Sequence, residues 1–248
     1  MKYQVTKGVA VLTLDEVDNR NALNARLLNG IGDGLTRALA DEAVRVVVLT
    51  HDGPVFCAGA DLKGGGQEPA RFAFPEVLTL IQDAPKPVVA VLRGPAMGGG
   101  VGLAAAADLS LASTDVTFGF TEVRIGLAPA MISVVCLPKL SKADAAELFL
   151  TGRKIPASRA AEVGLINRAV APDDLDAAVA ELLQELVAGG PQGLATSKEL
   201  LRDVPTMTRE QAFDHTQSLS ARLFQSPEAA EGIAAFRERR PASWVPHD

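Results

Sequence analysis

The chain has 248 residues, of which 48% are hydrophobic, and this is enough for a sizeable core in one large domain or a domain with an appendage. Its formal net charge of −6 excludes nucleic acid as the main partner, because phosphate binding requires a basic face. The two cysteines, Cys57 and Cys136, form neither a metal-ligand spacing nor a disulfide framework.

The first predicted elements are two short strands, a helix and a buried strand. Residues 3–6 and 9–14 are strand-like and flank a hairpin-like turn. A helix follows the N-cap residue Asn24, and its apolar stripe recurs every four residues at Leu27, Ile31, Leu35 and Leu39. The β-branched run at residues 44–49 predicts a strand that is buried on both faces.

The next elements repeat this pattern and then change character. Residues 64–75 are rich in glycine, proline and charge, which predicts a mobile loop. Further strands are predicted at residues 88–92, 109–112, 117–118 and 166–170. Strands separated by helices indicate parallel pairing through crossovers. Four helices follow, at residues 173–187, 193–201, 209–224 and 227–239. We therefore predict an α/β core at residues 1–188 and a helical region at residues 189–248.

Two glycine-rich turns follow two of the buried strands. The first is FCAGADLK at residues 56–63, and the second is GPAMGGGVGL at residues 94–103, which leads into an alanine-rich helix. Small residues allow a ligand to approach the backbone, and a helix N-terminus offers free N–H groups. The alternative is that these glycines serve only a tight turn and close helix–strand packing.

A nucleotide-binding role is disfavoured by the spacing of the glycines. Gly98 and Gly100 are followed three residues later by Leu103, so the dinucleotide fingerprint fails. No lysine followed by serine or threonine completes a phosphate loop. Two turns that each offer one backbone N–H are instead the arrangement of an oxyanion hole.

These segments, taken together, resemble the crotonase (enoyl-CoA hydratase/isomerase) superfamily. The two turns are similar to its first two signatures, and TFGFTEVRIGL at residues 117–127 is similar to its third. Further similar segments occur in the family's order, at RNALN (20–24), LTGR (150–153), AAEVGLI (160–166) and EGIAAFRERR (231–240). The resemblance spans nearly the whole chain.

The resemblance implies a site for a coenzyme A thioester between the two turns. Ala60 and Gly99 would donate their backbone N–H groups to the thioester oxygen, and Glu122 would be the acid/base. A surface or helix-capping role is the alternative for Glu122. The remaining residues expected to bind substrate are Arg20, Ala22, Ala58, Asp61, Leu62, Lys63, Phe236 and Arg239. A solvated surface charge is the alternative for each basic residue, and core or interface packing for Phe236. Cys57 is interpreted as a packing residue, since no histidine lies near it in sequence.

One position departs from the family pattern. Typical hydratases of the family carry a second glutamate where this chain has Gly102, so the two-glutamate mechanism is in doubt. Isomerases of the family often use a single glutamate. The glycine-rich and Glu122 segments nevertheless resemble a bacterial subgroup described as enoyl-CoA or methylglutaconyl-CoA hydratases, and we favour a hydratase over an isomerase. A non-catalytic, coenzyme A-binding member of the family is a further alternative.

The resemblance also implies the architecture. The expected fold is α/β, a crotonase-like spiral of ββα units whose C-terminal helical region forms a homotrimer, or a hexamer as a dimer of trimers. No metal or redox cofactor is expected, and coenzyme A enters only as part of the substrate. Residues 1–5 lack a signal-peptide core, and no apolar run is long enough to span a membrane. We therefore expect a cytoplasmic protein without a membrane partner.

Overall fold

The computed structural model describes residues 1–63 and 69–246 and contains two sheets. The strands are β1 (Lys2–Thr6), β2 (Val9–Leu14), β3 (Val46–His51), β4 (Val88–Leu92), β5 (Ala96–Met97), β6 (Leu109–Ser113), β7 (Thr117–Gly119), β8 (Lys154–Pro156) and β9 (Arg168–Val170). The larger sheet has the order β1-β2-β3-β4-β6-β9, and the smaller one has the order β5-β7-β8.

Ten α-helices occur in the described part of the chain, and none of them combines the length and apolar composition that crossing a bilayer requires. They are α1 (Ala25–Ala40), α2 (Phe74–Asp83), α3 (Gly99–Ala106), α4 (Ala130–Cys136), α5 (Lys142–Thr151), α6 (Ala157–Glu162), α7 (Leu175–Ala188), α8 (Pro191–Asp203), α9 (Arg209–Phe224) and α10 (Pro227–Glu238).

The chain winds between the two sheets in repeated strand–strand–helix units. Strand β4 enters the large sheet, β5 continues into the small sheet, and α3 returns; β6, β7 and α4 repeat this path. In the large sheet only β1 and β2 pair antiparallel, around a turn in which Lys7 and Gly8 both have positive φ. The carboxyl ends of the parallel strands β3 and β4 therefore lead into neighbouring loops.

Both faces of the large sheet are covered. Alternate residues of the β-branched strands point to opposite faces, so the two cores share the same strands. The main core lies between the sheet and helices such as α1, α2 and α3. A second cluster on the other face packs α7 residues Leu175, Leu182 and Val187 against Val46 and Val89.

A buried arginine connects the C-terminal segment to the sheet. The Arg45 guanidinium, just before β3, donates hydrogen bonds to the carbonyl oxygens of Trp244 (2.7 Å) and Gly189 (2.7 Å). Arg45 is buried, and burial lowers its pKa, although nearby Glu228 opposes that effect. A buried cation needs acceptors, and both acceptors come from the C-terminal part of the chain.

The prediction of a loop at residues 64–75 is wrong for its last two residues, Phe74 and Pro75. Residues 64–68 lie outside the described residues, but helix α2 begins at Phe74. Pro75 occupies the first turn of α2, where its missing N–H is no loss, and the Glu76 carboxylate accepts a hydrogen bond from the Ala73 amide (2.7 Å). Helices α2, α4, α5 and α6 and strands β5 and β8 have no counterpart among the predicted elements.

Candidate active site

A cleft of about 210 Å³ opens where the loops after β3 and β4 meet. These loops are joined backbone to backbone. The amides of Phe56 and Cys57 donate to the Pro95 carbonyl (3.1 and 3.4 Å), and the Met97 amide donates to the Cys57 carbonyl (3.0 Å). The first glycine-rich turn is thereby held directly against the second.

Glycine is required at two positions in this contact. Gly59 has φ +91°, and a Cβ there would lie 3.0 Å from the Met97 carbonyl oxygen and 3.7 Å from the Gly99 nitrogen. Gly98 has φ 50° and ψ −116°, a conformation that residues with a Cβ rarely adopt. The first turn therefore lies close to the second because Gly59 has no side chain, and Gly98 can adopt its conformation because it has no Cβ.

The amides of Ala60 and Gly99 border the cleft and are unpaired among the described residues. Gly99 is the first residue of α3, and the first amides of a helix have no partner within it. The helix macrodipole adds partial positive charge at the same point. Two adjacent free donors can stabilise an oxygen that gains negative charge, and their role as an oxyanion hole stays a prediction.

Glu122 places its carboxylate beside the second turn. It belongs to the 3-10 turn Thr121–Ile125 that follows β7. A Cβ on Gly98 would lie 2.9 Å from Glu122 Oε1, so the carboxylate rests against the Gly98 backbone next to Gly99. Glu122 Oε2 is buried and has no hydrogen-bond partner, and burial raises the pKa of this carboxyl. A carboxylate of this kind is a stronger base than one in water.

Apart from Thr121, the other side chains that line the cleft are apolar. Among the described residues that line it, Glu122 is the only titratable side chain. The others include Leu23, Phe74, Ile125, Leu127, Met131 and Ile132. An apolar wall strengthens electrostatic interactions inside the cleft, because it keeps the local dielectric constant low.

The position that departs from the family pattern is filled from another helix. A Cβ on Gly102 would lie 2.4 Å from Ile132 Cγ2 and 3.5 Å from Phe74 Cζ. The side chain of Ile132, on α4, therefore occupies the space beside α3 into which a residue at position 102 would project. The cleft has a hydrocarbon wall at this place.

The other predicted substrate-binding residues differ in their positions. Ala58 and Leu62 line the cleft. Ala22 is buried outside its lining, and Arg20 is exposed, with its carbonyl accepting from the Ala58 amide (3.1 Å). The Asp61 carboxylate accepts from the amide of exposed Lys63 (2.9 Å), so it shapes its own loop.

The two C-terminal candidates lie away from the cleft of this chain. Phe236 is on α10 and is 84% exposed, and Arg239 caps that helix with φ 54°. Neither lines the cleft. Cys57 is fully buried, and burial raises its pKa to about 12, which supports the packing interpretation.

Sequence reasoning missed the apolar lining supplied by Leu23, Phe74 and Ile132. Leu23 was part of a quoted motif, but no local pattern shows that it faces the cleft. In residues 1–63 and 69–246, no group of three or more His, Cys, Asp or Glu side chains converges in a way that could hold a metal ion. The predicted absence of a metal cofactor stays a prediction.

Comparison with known proteins identifies the family. The family model for enoyl-CoA hydratase/isomerase matches residues 4–246. The chain belongs to the enoyl-CoA hydratase/isomerase family. The resemblance stated from the motifs is thereby confirmed.

Relatives and solved structures agree with this family and its fold. A Thermus thermophilus protein provisionally named enoyl-CoA hydratase is 36% identical, over 96% of this chain and 98% of its own. Carnitinyl-CoA dehydratase from Salmonella arizonae is 34% identical, over 95% of this chain and 94% of its own. The crystal structure of an enoyl-CoA hydratase from Mycobacterium smegmatis superposes with a TM-score of 0.90 at 33% identity, covering 98% of both chains. The predicted crotonase-like α/β fold is confirmed, whereas trimerisation stays a prediction.

Proposed function

We propose that this family member is an enoyl-CoA hydratase-type lyase, which adds water to an enoyl-CoA thioester or removes it from a 3-hydroxyacyl-CoA through an enolate. The observation that carries the proposal is the Glu122 carboxylate, unpaired at Oε2 and resting against the turn that presents the Gly99 amide. The names of the relatives, hydratase and dehydratase, support a reaction that adds or removes water.

The proposed dehydration needs one base. Glu122 takes the α-proton of the thioester, and the electrons of that C–H bond move onto the thioester oxygen. The amides of Ala60 and Gly99 hold the resulting enolate oxygen, and these donors act more strongly on the enolate than on the neutral carbonyl. The protonated Glu122 then gives its proton to the β-hydroxyl, the C–O bond breaks, and water leaves. Hydration is the reverse sequence.

The coenzyme A part of the substrate needs cationic partners. Arg20 and Lys63 flank the loop that carries Ala60, and both are exposed. We assign them to the coenzyme A phosphates, together with Arg239 from a neighbouring subunit, and Phe236 to the acyl pocket of that neighbour. Ala22, Ala58, Asp61 and Leu62 would shape the acyl-thioester passage through their backbone and packing.

A panel of acyl-CoA thioesters tests the proposal. Crotonyl-CoA and its branched and longer homologues are incubated in ¹⁸O-labelled water, and the products are separated by mass spectrometry. We expect a 3-hydroxyacyl-CoA that carries one labelled oxygen. Absence of labelled product from every enoyl-CoA would overturn the hydro-lyase assignment.

A second candidate is a Δ3,Δ2-enoyl-CoA isomerase. It is favoured by the hydrocarbon wall at Gly102 and Ile132, since a single carboxylate in a mostly apolar cleft suits a proton shuttle between two carbons. A 3-enoyl-CoA added to the panel tests this candidate: it would become a 2-enoyl-CoA without taking up oxygen from water.

The activity should depend on the ionisation of Glu122. Burial raises the pKa of Glu122 above its ordinary value of 4.5, so the basic form is lost at a higher pH than for an exposed glutamate. We expect kcat/KM for dehydration to fall about tenfold per pH unit as the pH drops below that raised pKa. A pH–rate profile with no acid limb above pH 4.5 would contradict the role of Glu122 as the base.

A glutamate placed at position 102 should not increase hydration activity unless the Ile132 side chain is also shortened. In Gly102→Glu, Ile132 Cγ2 obstructs the new Cβ, and overpacking of this kind costs about 1–3 kcal/mol of stability. The single variant should gain no hydration activity. With Ile132→Ala added, two carboxylates could hold one water, and hydration of crotonyl-CoA should exceed that of Ile132→Ala alone by about tenfold or more. A stable, faster Gly102→Glu variant would contradict this account.

The outer faces of the last helices expose large apolar side chains. Phe213 and Phe224 on α9 and Phe236 on α10 are 66%, 75% and 84% exposed. Apolar surface of this kind is typical of an interface, and we propose that it is covered in a trimer, or in a hexamer of two trimers. Light scattering after gel filtration should give the mass of three or six chains at micromolar concentration, and the substitution Phe236→Asp should lower that mass. A monomeric mass would contradict the proposal.

A further inference from the structure

His51 lies where the pairing of β3 with β4 is interrupted. Backbone pairing of the two strands runs to Leu49 and Ala90, and it resumes as a single bridge between Cys57 and Ala96. The segment on the β3 side of this interruption is two residues longer than the segment on the β4 side. The two loops that carry the candidate oxyanion donors therefore diverge and rejoin at this place.

The imidazole of His51 bridges the gap. The Arg93 amide, just after β4, donates to His51 Nε2 (3.0 Å). His51 Nδ1 therefore carries the proton and faces the Asp52 carbonyl (3.4 Å). The side chain is buried, and burial lowers its pKa, which favours the neutral ring that can accept this bond.

The bridge extends to a third segment through Asn21. The Asn21 side-chain amide donates to the same Asp52 carbonyl (3.2 Å) and to the Val55 carbonyl (2.9 Å), and its oxygen accepts from the Glu16 amide (2.8 Å). Asn21 is fully buried. One connected set of polar groups thus ties together the segment before α1, the loop that leads to Ala60 and the loop that leads to Gly99.

Packing fixes the ring in this position. Phe56 meets the His51 ring edge to face, with 5.6 Å between centroids. On the opposite loop, a Cβ on Gly94 would lie 3.0 Å from His51 Cε1 and 2.4 Å from the Pro54 carbonyl oxygen. A ring held from both sides cannot change its orientation without moving one of the loops.

We propose that His51 is a positioning residue that sets the spacing between the Ala60 and Gly99 amides, an inference that rests on the proposed function. It touches neither amide. It acts through Arg93 and Asp52, at the base of the two loops. If Nε2 is lost as an acceptor, the Arg93 amide must find another partner, and the loop that leads to Gly99 shifts with it. The spacing of the two donors then no longer matches one thioester oxygen.

The test compares four variants. His51→Leu and His51→Met keep apolar bulk but remove the acceptor. His51→Gln places a side-chain oxygen near the position of Nε2 and should restore the bond to the Arg93 amide. The matched control is Thr50→Val, because the Thr50 hydroxyl donates to the Val91 carbonyl (3.0 Å) between the same two strands without reaching either loop.

Two readouts separate positioning from general stability. Turnover of the best substrate gives kcat and KM, and infrared difference spectra of bound butyryl-CoA, ¹³C-labelled at the thioester carbonyl, report how strongly the two amides polarise it. For both apolar variants we expect kcat to fall roughly 10–100-fold, with KM changed less than about threefold. The shift in the carbonyl stretching frequency on binding (the carbonyl shift) should become smaller. His51→Gln and Thr50→Val should keep both readouts close to those of the unmodified protein.

The outcomes distinguish this inference from the proposed function. An unmodified protein that polarises the labelled carbonyl but turns over no enoyl-CoA would overturn the proposed reaction and leave the positioning role intact. Active protein with a full carbonyl shift in His51→Leu or His51→Met would overturn the positioning role. If neither apolar variant folds, His51→Asn decides: it is too short to reach the Arg93 amide, so wild-type values for it would overturn the inference.

Discussion

Replacing Glu122 by glutamine is expected to lower kcat by about 10²–10⁴-fold, the usual contribution of a general acid–base group. Glutamine keeps the size and the hydrogen-bonding capacity of the side chain but cannot accept the α-proton. Affinity for a saturated thioester such as butyryl-CoA should change by less than about threefold, because the donors proposed for the thioester oxygen are backbone amides that the substitution leaves in place. Steady-state kinetics and calorimetric titration measure the two quantities.

The thermal unfolding midpoint is the control for this variant. A carboxyl whose pKa is raised on folding binds more protons in the folded state, so its ionisation at neutral pH destabilises the fold. Glu122→Gln should therefore unfold at a higher temperature than the unmodified protein at neutral pH. Unchanged turnover of every enoyl-CoA would remove Glu122 from the mechanism, and the non-catalytic interpretation of the chain would then be preferred.

Gly98→Ala is the second substitution with a large expected effect, about 10²–10³-fold on kcat. Its Cβ would lie 2.9 Å from Glu122 Oε1, so it would displace the carboxylate that we propose as the base. It also strains the residue that precedes the Gly99 amide, at a cost of about 1–3 kcal/mol. A displacement of about 1 Å in reacting groups is enough for a loss of this size. Both effects act on the transition state, and KM should change less than kcat.

Gly126→Ala provides the matched control. Gly126 also has a positive φ, 76°, and it ends the 3-10 turn that carries Glu122, but a Cβ there meets nothing within 4 Å. It should reproduce a backbone strain of about 1 kcal/mol with less than about a fivefold effect on kcat. If the two variants lost activity equally, strain in the backbone and not displacement of Glu122 would explain the loss at Gly98.

Elements with strong local signals were predictable from the sequence. Strand β4 and helix α9 have the bounds that their residue patterns predict, Val88–Leu92 and Arg209–Phe224. Helix α1 begins after Asn24, whose side-chain oxygen accepts from the Leu27 amide (2.8 Å), as its N-cap residue type indicated. In these elements, local propensity and the tertiary fold favour the same structure.

The short elements were not predictable, because nothing in their own residues specifies them. Strand β5 is only two residues long, and it exists because Ala96 and Met97 pair with Phe118 and Gly119. Helix α6 has only six residues, fewer than two turns, too few for a periodic apolar pattern. Such elements depend on contacts with distant parts of the chain.

The same division applies to the site. The two glycine-rich turns could be singled out from small residues at strand ends. Glu122 was singled out only because residues 117–127 resemble a family signature. The Ile132 wall was not recognisable, because the contact joins α3 to α4, a helix of only seven residues that was itself not predicted. Gly102 indicated that a glutamate was missing, but only the fold shows what fills the space.

The hydrogen bonds of Arg45 also have a consequence for biosynthesis. Its acceptors, Gly189 and Trp244, lie 144 and 199 residues further along the chain. At about 5–20 residues per second, the ribosome needs roughly 10–40 s to reach Trp244 after making Arg45. During that interval the nascent sheet carries a cation whose final acceptors do not yet exist. Until then Arg45 lacks the two carbonyl acceptors that compensate for its burial, so we expect Arg45 to become buried late in folding.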